Sequence, residues 1–139
     1  MKLFQSNEYK SVAIKNNYNI IEFLLKENIE FIIIAHTNVI EFNPPIPKEV
    51  IEFDEIVRFD IAGYSFESAT LNRDSLIFEA GFGAQNYGSI LTIPLEAIYQ
   101  IAVGETLLSI NYYKPKKINS MEILLNNPEN KKLLKKIKK

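Results

Sequence analysis

The chain has 139 residues, 47% of them hydrophobic, which suffices for one folded domain with its own core, and it has no Cys and a single His. Disulfides, thiolate nucleophiles, Cys-ligated metals and paired-His zinc motifs are thereby excluded. The net charge of −1 conceals a split, because residues 1–113 carry seven Lys and Arg against fifteen Asp and Glu, whereas residues 114–139 carry nine Lys against Glu122 and Glu129.

The opening MKLFQSNEYK has no long apolar stretch, and no apolar run approaches the ~18 residues of a membrane span, so a cytoplasmic location is expected. From Tyr18 to Lys26, the residues Ile20, Ile21, Phe23, Leu24 and Leu25 cluster on one helical face after Asn16 and Asn17, either of which can cap. The spacing predicts a short helix ending near Asn28. Residues 8–15 are ambiguous, because Val12 and Ile14 are β-branched. FIIIAHTNVIEF (31–42) reads as a strand bent near His36 to Asn38, and Pro44, Pro45 and Pro47 turn the next stretch into an extended connector.

Short strands then follow at Ile56–Ala62, Ser68–Leu71, Ser75–Phe82, Ser89–Pro94 and Leu107–Tyr113. Asn72-Arg73-Asp74 and the stretch 83–88 supply turns, and Pro94 to Tyr99 reads as one helical turn opened by proline. Strands in this meander order predict a mainly β, α+β domain: a small open barrel or sandwich capped by the N-terminal helix. The domain is expected to span 1–113, with 114–139 a basic linker and tail. Met121 to Leu125 can be strand or helix. Asn127-Pro128-Glu129 is a helix start, beyond which Leu133, Leu134 and Ile137 share a stripe among lysines.

Little catalytic chemistry is available. His36 beside an apolar run reads as a structural residue at a strand bend. Glu49, Glu52, Asp54 and Glu55 lack the spacing and glycine of a calcium loop and read as a solvated connector. A non-enzymatic protein without cofactor or metal is expected. The most specific local pattern is FEAGFGAQNYGSILTIPLEAIYQIA (78–102), in which Gly81 and Gly83 flank Phe82. Glycines in a strand mark a bulge, a corner or the close approach of another backbone. With the small Ala80, they would also suit an incoming extended peptide that pairs with the strand.

These residues resemble the stringent starvation protein B (SspB) family, adaptors that carry tagged polypeptides to the ClpX unfoldase of the ClpXP protease. The resemblance rests on Phe59-Asp60-Ile61-Ala62, Ala80-Gly81-Phe82-Gly83, and Leu91-Thr92-Ile93-Pro94 running into Leu95-Glu96-Ala97-Ile98. It covers about residues 18–113, with a longer turn here at Ala84-Gln85-Asn86-Tyr87-Gly88. It implies an SH3-like or Sm-like open β-barrel whose N-terminal helix pairs two subunits, with Ile20, Phe23 and Leu24 at the dimer interface. It also implies a groove for ssrA-like degradation tags beside Phe59, Ile61, Ala62, Ala80, Gly81, Phe82, Gly83, Leu91 and Ile93. The unfoldase would dock on Leu133, Leu134, Lys135, Lys136, Ile137 and Lys138. Two other readings compete. A small β-barrel with a Lys-rich tail is compatible with single-stranded nucleic acid, although the acidic body repels phosphates. A membrane-surface anchor ranks last, because three apolar tail residues offer little insertion area.

Overall fold

The computed structural model describes residues 2–116. The expected elements at 121–125 and from Asn127 onward, and the docking residues Leu133 to Lys138, lie outside the described residues.

Among the described residues, one long helix and two antiparallel four-stranded sheets make up a mixed α+β fold. Helix α1 runs Asn7–Lys26, so it starts eleven residues before the predicted Tyr18. Ser6, rather than Asn16 or Asn17, is its N-cap, and the Ser6 Oγ accepts from the Tyr9 N–H at 3.1 Å. Glu8 in the first turn and Lys26 in the last complement the helix dipole. The buried residues Ala13, Asn17, Ile21 and Leu24 recur at helical spacing and define the inward stripe. That stripe overrides the β-branched Val12 and Ile14. The helix closes in a Schellman motif: Asn28 takes φ 60°, the Ile29 N–H donates to Leu24 O at 2.9 Å, and the Asn28 N–H donates to Leu25 O at 3.2 Å.

In the first sheet, β1 (Phe31–His36) lies between β3 (Ile56–Ile61) and β7 (Ile98–Val103), and β8 (Thr106–Ile110) pairs with β7. The second sheet has the order β2 (Glu41–Asn43), β6 (Tyr87–Pro94), β5 (Ser75–Phe82), β4 (Thr70–Leu71). A five-residue helix, α2 (Tyr64–Ser68), bridges β3 to β4. The inner faces meet through Ile33, Phe59, Ile61 and Ile101 on one side and Leu76, Phe78, Leu91 and Ile93 on the other, with Ile21 and Leu24 of α1 in the same core. Each fully buried large apolar side chain contributes about 1.5–3 kcal/mol.

Three expectations need correction. The order is not a meander, because β1 sits between β3 and β7. The stretch Ser68–Leu71 is mostly taken by the end of α2, which leaves Thr70–Leu71 as the strand. The helical turn at Pro94 is only a 3-10 turn over Leu95–Ala97, and Ile98–Val103 continues as the unforeseen strand β7. Its Ile98 and Ile101 are wholly buried, and that burial favours a strand between β1 and β8. Among the described residues the two sheets do not close into a barrel.

A buried polar cluster fixes α1 to the sheets. Asn17 Nδ2 donates to the carbonyls of Leu95 and Ile98, both at 3.0 Å, while Asn111 Nδ2 donates to Glu96 O at 2.9 Å and Ile98 O at 3.1 Å. Ser109 Oγ donates to Asn17 Oδ1 at 3.2 Å. Satisfied on all sides, these groups specify the position of the helix rather than penalise its burial. His36 is buried at the end of β1, which matches its reading as a residue at the strand bend. Burial pushes its pKa below the usual imidazole value, and nearby Lys114 acts in the same direction. No helix among the described residues is long and apolar enough to cross a membrane.

Candidate functional site: a furrow between two strand edges

Strand β5 is paired on one side along its whole length, from Ser75↔Pro94 to Phe82↔Tyr87. On the other side β4 reaches only Leu76 and Ile77. Beyond β4, α2 takes over: Ser65 Oγ donates to Glu79 O at 2.9 Å, and the Glu79 N–H donates to Ser68 Oγ at 2.9 Å. Backbone groups two residues apart on a strand point the same way, so the N–H and C=O of Gly81 share the edge used by Glu79. No strand or helix of the described chain pairs there.

Strand β3 is likewise an edge strand, paired among the described residues only with β1. The Thr37 N–H donates to Glu55 O at 3.0 Å, which extends the β1–β3 ladder and fixes its phase. By alternation, the odd residues of β3 bond to β1, and the backbone groups of Arg58 and Asp60 face away from the sheet. Two open edges from different sheets therefore face one gap.

That gap is a furrow of about 360 Å³ lined by Arg58, Phe59, Asp60, Ser65, Phe78, Ala80, Gly81 and Phe82. Its floor is the half-buried Phe82 over the buried Phe59 and Phe78, with Phe59 centred 5.7 Å from Phe78 and 6.4 Å from Phe82. Its rim is charged: Arg58 Nε and Asp60 Oδ1 are 2.8 Å apart, and both side chains are largely exposed. An exposed pair of this kind contributes at most about 1 kcal/mol, so either partner can be redirected to a ligand at little cost.

The opposite face of β5 is also concave. Tyr64, Glu79, Gly81, Asn86, Gly88 and Ile90 help to line a depression of about 280 Å³ there, and Tyr64 donates its hydroxyl to the Glu79 carboxylate. That bond raises the pKa of the Tyr64 phenol, and the negative charge of Glu79 adds to the effect. Gly81 and Gly88 are cross-strand partners, which leaves the spot without side chains of its own. Asn86 reaches over Gly81 there: a Cβ on Gly81 would lie 1.7 Å from Asn86 Oδ1. Gly83 is in the turn rather than the strand, with φ +73°, and Val50 Cγ1 would sit 2.8 Å from its Cβ. Both glycines thus answer to side chains of this chain.

The structure brings four of the nine expected groove residues to the furrow: Phe59, Ala80, Gly81 and Phe82. Ile61, Leu91 and Ile93 are wholly buried, because alternation turns them into the core between the sheets, and they are corrected to core residues. Ala62 is exposed beyond the end of β3, and Gly83 is exposed in the hairpin turn. Arg58, Asp60, Ser65 and Phe78 were missed. The alternation Arg58-Phe59-Asp60 gave a signal for the first two, a strand carrying charge on one face and an aromatic on the other.

For the expected dimer stripe, Leu24 is 1% exposed and belongs to the core of its own chain, so it cannot pair subunits. Ile20 packs against that core, whereas Phe23 is 56% exposed and lies three turns from the equally exposed Val12. The chain matches no protein-family model and no curated protein.

Proposed function

We propose that this chain is a non-enzymatic peptide-binding adaptor of the SspB type, built on a variant of the Sm-like architecture. It would capture an ssrA-like tag on a substrate protein and deliver it to the ClpX unfoldase. The observation that carries this reading is the furrow, where the outward backbone groups of Arg58, Asp60 and Gly81 border a floor of Phe59, Phe78 and Phe82. An extended segment lying there can add backbone hydrogen bonds to one or both edges. It can also place alternate small apolar side chains against the half-buried Phe82, which the buried Phe59 and Phe78 support from below, and strand addition obtains both affinity and specificity in this way. Arg58 stands ready for a carboxylate on the peptide.

In this reading the basic tail, with Leu133, Leu134 and Ile137, engages the unfoldase, and two weak contacts on one tether gain avidity on the order of 10²–10⁴. Pairing of two chains would use the outer face of α1 around Phe23. Fluorescence anisotropy of a labelled ssrA-type peptide tests the substrate half. Saturable binding in the micromolar range is expected, and the absence of binding at high micromolar concentration for every tag tried would remove it. Deleting residues 128–139 should abolish delivery in a reconstituted proteolysis assay and leave tag affinity unchanged. Loss of both would contradict the division of labour.

A further inference from the structure

The connector between β2 and β3 forms a second surface that takes no part in the furrow. Phe42, Pro45, Ile46, Ile51 and Phe53 line a cleft of about 430 Å³ with Asn38 at one end. The Phe42 and Phe53 rings stack at 5.1 Å with 18° between their planes, and Ile51 remains 36% exposed. Glu52 and Lys48 line the cleft as well, and Glu49, Asp54 and Glu55 are exposed on the same connector, where Lys48 is the only basic residue.

The C-terminal end of the described chain is pinned beside this cleft. The Gln5 side chain bonds both backbone groups of Lys114, with Nε2 donating to O at 2.9 Å and Oε1 accepting from N–H at 2.8 Å. Asn38, which lines the cleft, donates from Nδ2 to Pro115 O at 3.1 Å. Residues 117–139 therefore begin next to an apolar cleft on a predominantly acidic connector, and they carry seven Lys against two Glu, with Leu133, Leu134 and Ile137 among the lysines. At about 3.3–3.6 Å per residue, the stretch from 117 to Leu133 spans ~50 Å or more when extended, so reach does not limit contact. A tether of that length holds its end at an effective concentration on the order of millimolar.

We propose that residues 129–139 occupy this cleft on their own chain, with Leu133, Leu134 and Ile137 on the Phe42–Ile51–Phe53 floor and the lysines against the acidic connector. The cleft is then a receptor for a short basic-apolar segment, and the segment is withheld from other partners while it is seated. This inference does not depend on what the furrow binds. It requires occupancy to fall with salt, because the connector charges are solvent-exposed.

Because the chain has no Cys, a single nitroxide can be placed on full-length protein at Lys139→Cys and its paramagnetic broadening read across the amides. At low salt, strong broadening is expected at Asn38, Ile46, Ile51 and Glu52, with most intensity recovered at about 0.5 M NaCl. The double substitution Glu52→Lys with Glu55→Lys, at two exposed positions, should relieve the broadening at least several-fold, as should Leu133→Asp with Ile137→Asp. Absence of broadening at the cleft, its appearance elsewhere, or its persistence after charge reversal would overturn the proposal. So would equal broadening of isotope-labelled, nitroxide-free chains mixed with unlabelled nitroxide-bearing ones, because the contact would then lie between molecules.

Discussion

The two faces of strand β5 around Ala80 and Gly81 are opposites. On the outer face the bare backbone of Gly81 is covered by the Asn86 side chain of the same hairpin. On the other side, where Phe78, Ala80 and Phe82 project, side chains are present yet a furrow stays open, because β4 stops at Leu71 and no further strand among the described residues pairs with the rest of β5. A missing side chain in the sequence marks close approach, most often by the chain itself, whereas an opening is created by topology, where a strand outruns its neighbours.

The largest expected effect comes from breaking the inner face. Phe82 packs against Phe42, Phe53 and Phe59, with ring centroids 6.3, 5.4 and 6.4 Å away. Phe82→Ala should cost about 3 kcal/mol in urea unfolding and remove part of the furrow floor. Next is Gly83→Ala, which forces a Cβ at φ +73° against Val50 and should cost about 1–2 kcal/mol or more. Gly81→Ala sharpens the contrast, because the whole Asn86 amide has to rotate away but no backbone is met and φ is not left-handed, and its cost should be smaller than that of Gly83→Ala. Equal losses for the two glycines would mean that Asn86 is held as rigidly as Val50.

Filling the furrow leaves the outer face untouched. Ala80→Leu should weaken tag-peptide binding at least about tenfold in anisotropy, equivalent to about 1.4 kcal/mol, and unchanged affinity would place the peptide elsewhere. The smallest effect lies away from both faces. With its pKa lowered by burial, the His36 imidazole takes up its proton at a lower pH in the fold than in the unfolded chain, where it does so near pH 6.5. Stability should therefore be intact above that pH and decline as pH falls through it toward the depressed folded value, and His36→Gln should flatten the decline.

Much of this architecture is legible in the residues. Ser75–Phe82 alternates inward Leu76 and Phe78 with outward Ile77 and Glu79, and its boundaries were read as they stand in the fold. Strand β7 was hidden because Pro94 followed by Leu95-Glu96-Ala97 has the chemistry of a helix start. What makes Ile98–Val103 a strand is its place between β1 and β8, which are distant in sequence. The first half of α1 was hidden for a related reason: Asn17 reads as a cap, and only the carbonyls of Leu95 and Ile98 explain it inside a helix. In the furrow, Phe59, Ala80, Gly81 and Phe82 stood out by type and spacing. Arg58, Asp60 and Ser65 did not, because an edge exists only once it is known which strands have no neighbour.

Chemical-shift mapping with a saturating ssrA-type peptide tests the furrow most directly. The backbone amides of Arg58, Asp60 and Gly81 should shift and become protected from solvent exchange, while Gly88 and Ile90 on the outer face stay unchanged. Shifts confined to Gly88 and Ile90, or no protection at the two edges under saturation, would contradict strand addition in the furrow.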